Sequence, residues 1–346
     1  MKHPIKEALK THFLRYRKMT PQDTVKLIYQ SEFGPGHLIT DEKYVRARLI
    51  AELEDTARDE SIPSVELIGG EACRINLASL PTGLSADTLF RIFVMSASMF
   101  SGSERSFESK LYEVYSLIEE KYAPFSRYEY SEYIKKYMTE GGGAVRHSLY
   151  YNALYRPAYR VIHVSFLPLL PLLAEIDRLI AAGDASFTVK IDGRCGSGKT
   201  TLASMLQSIY GCGVVHADDF YPVRGTRSPL DFERLNLEVR DLISGKADSY
   251  GAFDCSVQAV THRVAASREP FLIVEGSYSL HPNVRFGDIS VFVTVDGEEQ
   301  LRRIEKRSPD KLDAFRTRWI PAEEAYFAEH GTAENCDFVI DTNKFS

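Results

Sequence analysis

The sequence lacks a long apolar run. The longest, residues 166–174, is interrupted by Pro168 and Pro171, whereas a membrane-spanning helix needs about 20 predominantly apolar residues. The first residues also lack the succession of basic, apolar and small residues that is typical of a signal peptide. We therefore expect a cytoplasmic protein with no membrane partner.

Cysteine and excess positive charge are also scarce. Five cysteines are scattered along the chain without a C-x-x-C pair, which argues against a disulfide framework and against a structural zinc site. The formal net charge of −6 argues against general nucleic-acid binding. A small anionic ligand in a local basic pocket is still compatible with this charge.

The length and the residue pattern indicate two domains. The chain has 346 residues, of which 44% are hydrophobic and 26% are charged, as in ordinary soluble proteins. We predict a mostly α-helical domain over residues 1–164, to which the sequence assigns no role, and a second domain over residues 165–346. Helices of the first are predicted at 6–18, 21–32, 40–53, 85–95, 104–122 and 128–138, with a short strand at 73–77.

Residues 165–346 alternate between strands and helices, after an apolar helix at 166–182. The predicted strands are 187–191, 213–217, 271–275, 290–295 and 337–340, and the predicted helices are 200–210, 231–244, 300–307 and 313–326. This alternation is typical of a doubly wound parallel sheet, an α/β fold in which ligands bind at the carboxyl ends of the strands.

One Gly-rich turn of this domain fits G-x-x-x-x-G-K-[ST], the phosphate-binding P-loop, and it predicts the fold of a P-loop NTPase. Its residues, with the threonine that follows, are Gly193, Arg194, Cys195, Gly196, Ser197, Gly198, Lys199, Thr200 and Thr201. Glycines let backbone N–H groups turn toward phosphate oxygens, and the next helix adds its N-terminal dipole. We expect Lys199 to reach the β- and γ-phosphates of ATP and Thr200 to ligate Mg²⁺. The alternative is a chance Gly-rich turn, but a predicted strand precedes this turn and a predicted helix follows it.

Carboxylates end the next two predicted strands. Asp218 and Asp219 follow the strand at 213–217, and Glu275 ends the apolar strand at 271–275. Phosphoryl transfer to a hydroxyl needs a base and a held Mg²⁺, so Asp218 is our candidate for the base or a metal-linked group, and Glu275 for a second Mg²⁺ residue. The alternative for the aspartates is an ordinary β–α turn.

Two arginines, Arg303 and Arg307, are four residues apart and share one face of a predicted helix. They are candidates for catalytic residues that cover the phosphate during its transfer. The alternative is a solvated basic face.

These motifs make residues 187–346 similar to the uridine kinase and phosphoribulokinase family of P-loop kinases. The resemblance implies that Asp218 is the catalytic base, that Tyr221 contacts a nucleoside and that Glu275 assists Mg²⁺. Phe253–Asp254 resembles the family's Tyr-Asp segment. The resemblance as a whole makes Asp219, Tyr221 and Asp254 the expected substrate-binding residues. The family's F-D-H-P segment is missing, and residues 228–232 stand there instead.

The N-terminal half has two features of open interpretation. The turn from Glu32 to His37 could bind a metal or substrate, or could be a helix C-cap. The Tyr- and Arg-rich segment 146–160 could hold an anion, or could be a packed connecting loop. We predict that Tyr155, Tyr159 and Arg160 contribute to an acceptor pocket.

The sequence as a whole predicts an ATP- and Mg²⁺-dependent kinase whose acceptor is a hydroxyl of a small molecule, with a nucleoside as the first candidate. The alternative is a P-loop ATP-binding switch or slow ATPase with the N-terminal domain as its binding module. A third possibility is that the N-terminal domain is a second enzyme, which only the turn from Glu32 to His37 supports. The sequence does not assign an oligomeric state.

Overall fold

The computed structural model describes residues 5–183 and 187–345. The chain divides into two compact units, Met1–Ala174 and Glu175–Ser346, which we call the N-terminal and C-terminal units. The division falls later than the predicted 164/165 boundary. One reason is that Ala174 packs against the N-terminal unit, since a Cβ on Gly83 would lie 2.9 Å from the Ala174 carbonyl oxygen. In the part of the chain that the structure describes, no helix is both long and apolar enough to span a bilayer.

The N-terminal unit is mostly helical, as predicted. Its three strands form an antiparallel sheet in the order β1-β2-β3. The strand predicted at 73–77 is confirmed by β2, whereas β1 and β3 were not predicted. Strand β3 begins in the segment 146–160, for which a connecting loop was one of our two interpretations. The elements are α1 Ile5–Arg15, α2 Pro21–Phe33, α3 Glu42–Asp55, β1 Val65–Gly69, β2 Ala72–Asn76, α4 Ala86–Ala97, α5 Glu104–Glu119, α6 Arg127–Thr139, α7 Leu149–Tyr155 and β3 Tyr159–His163.

Helix α2 illustrates how the sequence sets these elements. Thr20 and Asp23 form a capping box around Pro21, and Gly34 ends the helix with a φ of 60°. The buried side chains Leu27 and Ile28 belong to one apolar core with residues of α1 and α5. A 3₁₀ segment, Val164–Leu169, then leads into α8, Leu170–Ala182, which replaces the single helix predicted at 166–182.

The C-terminal unit is built on a parallel sheet of five strands, in the order β10-β9-β4-β8-β5. This confirms the predicted α/β P-loop fold, and each predicted strand is present with both ends within two residues of the prediction. The elements of this sheet and its helices are β4 Thr188–Gly193, α9 Lys199–Tyr210, β5 Gly213–His216, α10 Phe232–Ile243, β8 Leu272–Glu275, β9 Ile289–Thr294, α11 Gly297–Arg307, α12 Leu312–Ala314, α13 Ile320–His330 and β10 Phe338–Asp341.

Two parts of this unit differ from the prediction. An antiparallel hairpin of β6, Ser249–Asp254, and β7, Ala259–Ala265, was not predicted. The helix predicted at 313–326 is interrupted by a π-helical turn, Phe315–Trp319. Pro321 stands in the first turn of α13 and has no N–H for the bond that one continuous α-helix would require.

Candidate active site at the P-loop

The turn between β4 and α9 has the backbone of a phosphate-binding loop. Gly193, Gly196 and Gly198 have φ values of 138°, 73° and 98°, which side chains with a Cβ rarely adopt. A Cβ on Gly193 would lie 2.0 Å from the carbonyl oxygen of Val293. Helix α9 begins after Gly198 with no side-chain cap, so its first N–H groups can bind an anion.

Lys199 folds back over this loop. Its Nζ donates to the carbonyl oxygens of Gly193, at 2.6 Å, and Arg194, at 3.2 Å. The side chain is therefore half-buried and not simply directed at solvent. Among the residues that the structure describes, Lys199 makes no ion pair, so its charge has no fixed carboxylate partner.

A hydroxyl and a carboxylate face each other beside Lys199. Thr200 Oγ1 lies 3.2 Å from both carboxylate oxygens of Glu275. The Glu275 carboxylate is buried and also lies 2.6 Å from His216 Nδ1, and this hydrogen bond raises the pKa of His216. Hydroxyl and carboxylate oxygens are the ligands that Mg²⁺ prefers, so these residues fit a magnesium site.

The paired aspartates after β5 point to different surroundings. Asp218 lines the same cavity as Lys199 and Thr200, which we call the P-loop cavity. Its Oδ1 accepts a hydrogen bond from Tyr221 at 3.2 Å. Burial raises the pKa of Asp218, although the Tyr221 hydroxyl partly offsets the effect. Asp219 instead accepts a hydrogen bond from Tyr250 at 2.9 Å and does not line this cavity. Only the first aspartate therefore faces the P-loop cavity.

The P-loop cavity has a volume of about 910 Å³ and lies within the C-terminal unit. Such a volume is at the upper end of the range for small-molecule sites. It is lined by basic and aromatic side chains as well as by the groups above. The predicted site residues on its wall are Cys195, Gly196, Ser197, Gly198, Lys199, Thr200, Thr201, Asp218, Tyr221, Glu275, Arg303 and Arg307.

The two predicted arginines differ in how firmly they are held. Arg303 pairs with Glu299 at 2.7 Å and donates to the side chain and carbonyl of Thr342, each at 2.9 Å. Arg307 lies with its guanidinium 5.8 Å from the centre of the Phe315 ring. Among the described residues Arg307 makes no ion pair, so it is the one that is free to meet a ligand.

Helix α13 holds the outer side of the P-loop, which the sequence did not predict. Glu323 accepts hydrogen bonds from the Cys195 N–H at 2.8 Å and from Ser277 Oγ at 2.7 Å. Arg194 pairs with the neighbouring Glu324 at 2.7 Å, so Arg194 supports the loop and does not line the cavity.

Asp192, directly before the loop, is a further residue that the sequence analysis missed. Its carboxylate accepts hydrogen bonds from the Gly193 N–H at 2.7 Å and from the Tyr326 hydroxyl at 2.9 Å. Burial raises the pKa of Asp192 to about 6. A carboxylate at the end of a predicted strand, directly before the first glycine of the P-loop, is the signal that could have identified it.

Asp254, Glu32 and His37 do not line the P-loop cavity. Asp254 caps the turn of the hairpin by accepting hydrogen bonds from Ser256, at 2.7 and 2.6 Å. Glu32 is bound by Lys110 at 2.7 Å, and His37 stands edge-on to Tyr29. The described residues contain no group of three or more His, Cys, Asp or Glu placed to hold a metal ion.

No protein-family model matches this chain, and no curated protein matches it. Solved structures do match. A structure described as that of a "Possible Uridine Kinase" from Bacillus stearothermophilus is 22% identical, with 49% of this chain and 100% of that chain covered and a TM-score of 0.35. A "putative fructose transport system kinase" from Silicibacter sp. TM1040 is 21% identical, with 45% and 89% covered and a TM-score of 0.34.

A third structure, TT1252 from Thermus thermophilus, is 18% identical, with 45% of this chain and 88% of that chain covered and a TM-score of 0.30. All three TM-scores are below 0.5.

Proposed function

We propose that the C-terminal unit is an ATP- and Mg²⁺-dependent kinase that transfers the γ-phosphate of ATP to a hydroxyl of a small molecule. One observation carries the proposal: Asp218 lines the same cavity as Lys199, Thr200 and Glu275. A carboxylate beside the phosphate-binding groups is what a hydroxyl acceptor needs and what a simple nucleotide switch does not need.

The phosphate-binding part of the reaction falls to the loop and its lysine. The first N–H groups of α9 and the Lys199 ammonium would bind the phosphate oxygens. On nucleotide binding, Lys199 exchanges its contacts with the carbonyls of Gly193 and Arg194 for contacts with phosphate. Thr200 and Glu275 would hold Mg²⁺, which neutralises charge on the phosphate oxygens.

Asp218 is the proposed base. It accepts the proton of the acceptor hydroxyl as the new P–O bond forms and the bond between the γ-phosphate and ADP breaks. Burial raises its pKa, which makes the carboxylate a stronger proton acceptor. The Tyr221 hydroxyl fixes its orientation.

Arginines and aromatic rings supply the rest of the site. Arg307 would stabilise the charge that develops on the transferring phosphate, because no carboxylate among the described residues pairs with its guanidinium, which lies over the Phe315 ring. Tyr221, Tyr278 and Trp319 line the P-loop cavity and offer flat surfaces for a ring, which supports a nucleoside as the first acceptor to test.

Asp219 and Asp254 are weaker candidates for substrate binding than Tyr221, because neither lines the P-loop cavity.

We propose that the protein is cytoplasmic. ATP is abundant in the cytoplasm, and the scattered free cysteines suit a reducing compartment. The predicted contribution of Tyr155, Tyr159 and Arg160 to the acceptor pocket stays a prediction.

A thermal-shift screen tests the proposal. The full chain is heated with a non-hydrolysable ATP analogue and Mg²⁺, alone and with nucleosides, sugars and vitamins. We expect the analogue to raise the melting temperature, and at least one acceptor to raise it further only when the analogue is present. Lys199→Ala is the control that should lose the first shift. The absence of any shift with nucleotide in the wild type would contradict the proposal, and a nucleotide shift with steady ATP hydrolysis but no acceptor effect would favour the switch or slow ATPase.

A further inference from the structure

A second cavity lies inside the N-terminal unit, remote in sequence from the P-loop motif. It has a volume of about 380 Å³, which is enough for a molecule with one ring and a few substituents. Its wall is formed by residues that follow or belong to α1, α3, β1, β2, α7 and β3. We call it the tyrosine cavity, after Tyr16, Tyr151, Tyr155 and Tyr159, which line it.

The wall of the tyrosine cavity contains a buried arginine that makes no ion pair with any residue that the structure describes. Arg74 is 2% exposed, and among the described residues no carboxylate lies within ion-pair distance of it. Its Nη2 donates to Gln30 Oε1 at 3.0 Å, and its Nε is buried with no hydrogen-bond partner. Burying a charge with unfilled hydrogen-bonding capacity is costly, so the guanidinium is a group that an anion would complete.

The carboxylate opposite Arg74 is hydrogen-bonded by other side chains. Glu66 stands opposite Arg74 in the register of β1 and β2, but its carboxylate is bound by Arg15 and, at 2.7 Å, by the Tyr16 hydroxyl. The charged residues that line the tyrosine cavity are Arg15, Arg74 and Arg156 against Glu66. Three positive charges against one negative charge leave a surplus of two, which favours an anionic ligand.

A hydrogen-bonded chain fixes the ring that supports Arg74. The Arg74 guanidinium lies 4.2 Å from the centre of the Tyr159 ring. The Tyr159 oxygen lies 2.7 Å from His147 Nε2, and His147 Nδ1 lies 3.0 Å from Asp23 Oδ1. Side chains locked by such contacts form a rigid site before any ligand arrives, which lowers the entropic cost of binding.

The other walls of the tyrosine cavity are aromatic and apolar. Tyr16 packs against Tyr151 and Tyr155, with ring centres 5.5 and 5.1 Å apart. Leu154 lines the same cavity and is 51% exposed, so it lies where the cavity meets solvent. A ligand with a flat or apolar body would fill this part while its charged end reaches Arg74.

We propose that the tyrosine cavity binds a small organic anion, with its carboxylate or phosphate group at Arg74 and a ring against the tyrosines. This site is independent of the kinase activity proposed above. Carboxylates and phosphate monoesters share the oxyanion chemistry that a guanidinium recognises, and the experiment separates them.

The test uses the full chain and three probes that share one ring: benzoate, phenyl phosphate and neutral phenol. Binding is measured by calorimetric titration. We expect benzoate or phenyl phosphate to bind at least about tenfold more tightly than phenol. The anions contact both the Arg74 guanidinium and the tyrosine rings, whereas phenol contacts the rings without a charged group for Arg74. The probe that binds more tightly identifies the class of anion.

Two variants at the mouth of the cavity make the test specific. Leu154→Glu places a negative charge beside the anion and should weaken its binding about tenfold, whereas Leu154→Gln, of similar size and neutral, should bind it nearly as the wild type does. Because Leu154 is exposed, both variants should fold. Arg74→Gln should abolish the preference for an anion over phenol if that variant also folds.

Three results would overturn the proposal. The first is that neither anion binds at millimolar concentration. The second is that phenol binds as tightly as both anions, and the third is that Leu154→Glu leaves anion binding unchanged. In the last case, loss of the binding in Lys199→Ala would assign it to the P-loop, so that failure of this site and failure of the proposed kinase site give different results.

Discussion

Thr200 Oγ1 lies 3.2 Å from both carboxylate oxygens of Glu275. The register of the sheet brings them together, because Ile191 at the end of β4 pairs with Glu275 of the parallel strand β8. On the other side of β8, His216 pairs with the same glutamate. Three strands therefore bring an imidazole, a carboxylate and, through the P-loop, a hydroxyl to one edge of the sheet, which is where a parallel sheet binds its ligands.

Glu275→Gln should impair the response to Mg²⁺ more than the binding of nucleotide. The amide keeps the size of the side chain but removes the charge that would hold the metal. We expect the Mg²⁺ concentration for half-maximal activity to rise roughly 10–100-fold, as measured by ADP release at saturating ATP. Glu305→Gln removes the same charge from an exposed position of α11 and should have no effect. An unchanged Mg²⁺ requirement in Glu275→Gln would remove Glu275 from the metal site.

Lys199→Ala should lose phosphotransfer and keep its fold. Within the described residues, the ammonium donates hydrogen bonds to the backbone carbonyls of Gly193 and Arg194 and makes no ion pair, so little packing depends on it. Circular dichroism and the melting temperature without nucleotide should match the wild type, while ATP affinity and turnover fall. A variant that turned over ATP normally would contradict the assignment of the P-loop.

Arg303→Ala and Arg307→Ala should separate support from catalysis. Arg303 is tied to Glu299 and Thr342, so its loss should cost about 1.5–3 kcal/mol of stability as well as activity. Arg307 makes no such hydrogen bond or ion pair with the residues that the structure describes, so its loss should leave the melting temperature unchanged while kcat falls by about 10²-fold or more. Thermal melts and steady-state kinetics of both variants check this, and an Arg307 variant with normal kcat would make that arginine part of a solvated face.

The sequence predicted the P-loop, the strands of the parallel sheet and the carboxylates that follow them because each of these signals is local. An apolar run tipped by an acid, or a glycine pattern between a strand and a helix, is complete within about ten residues. The register of neighbouring parallel strands then brought Thr200 and Glu275 together, as the fold class implies.

Contacts between distant residues were not predictable in this way. Cys195 and Glu323 are 128 positions apart, and Asp23 and His147 are 124 apart, so no periodicity relates them. The β6–β7 hairpin escaped prediction because β7 is exposed along nearly its whole length and has no apolar alternation. Arg74 lies within the predicted strand at 73–77, but the sequence alone does not show that its charged side chain is buried.

Acid should destabilise the N-terminal unit through its buried histidines. Burial lowers the pKa of His147 and of His12 to about 4, whereas both titrate near 6.5 when unfolded. Between pH 6.5 and 4 the unfolded chain therefore binds protons that the folded chain does not, and stability falls by up to about 1.4 kcal/mol per pH unit for each histidine.

Urea unfolding of the wild type and of His147→Gln at pH 7 and pH 5 measures this effect. The variant should lose less stability between the two pH values than the wild type does, because it lacks one of the two titrating groups. Equal losses in both proteins would mean that His147 is not held neutral by the fold.

The most direct measurement of the central claim compares Asp218→Asn with its neighbour Asp219→Asn. Each is incubated with ATP, Mg²⁺ and the acceptors found in the thermal-shift screen, with uridine included, and the phosphate monoester is quantified by mass spectrometry. Because Asp218 lines the P-loop cavity and Asp219 is held by Tyr250, Asp218→Asn should form the ester roughly 10²–10⁴-fold more slowly than the wild type, with unchanged ATP affinity, and Asp219→Asn should keep most of the activity. Ester formation at the wild-type rate in Asp218→Asn, or ATP hydrolysis with no phosphorylated acceptor in the wild type, would contradict the kinase that we propose.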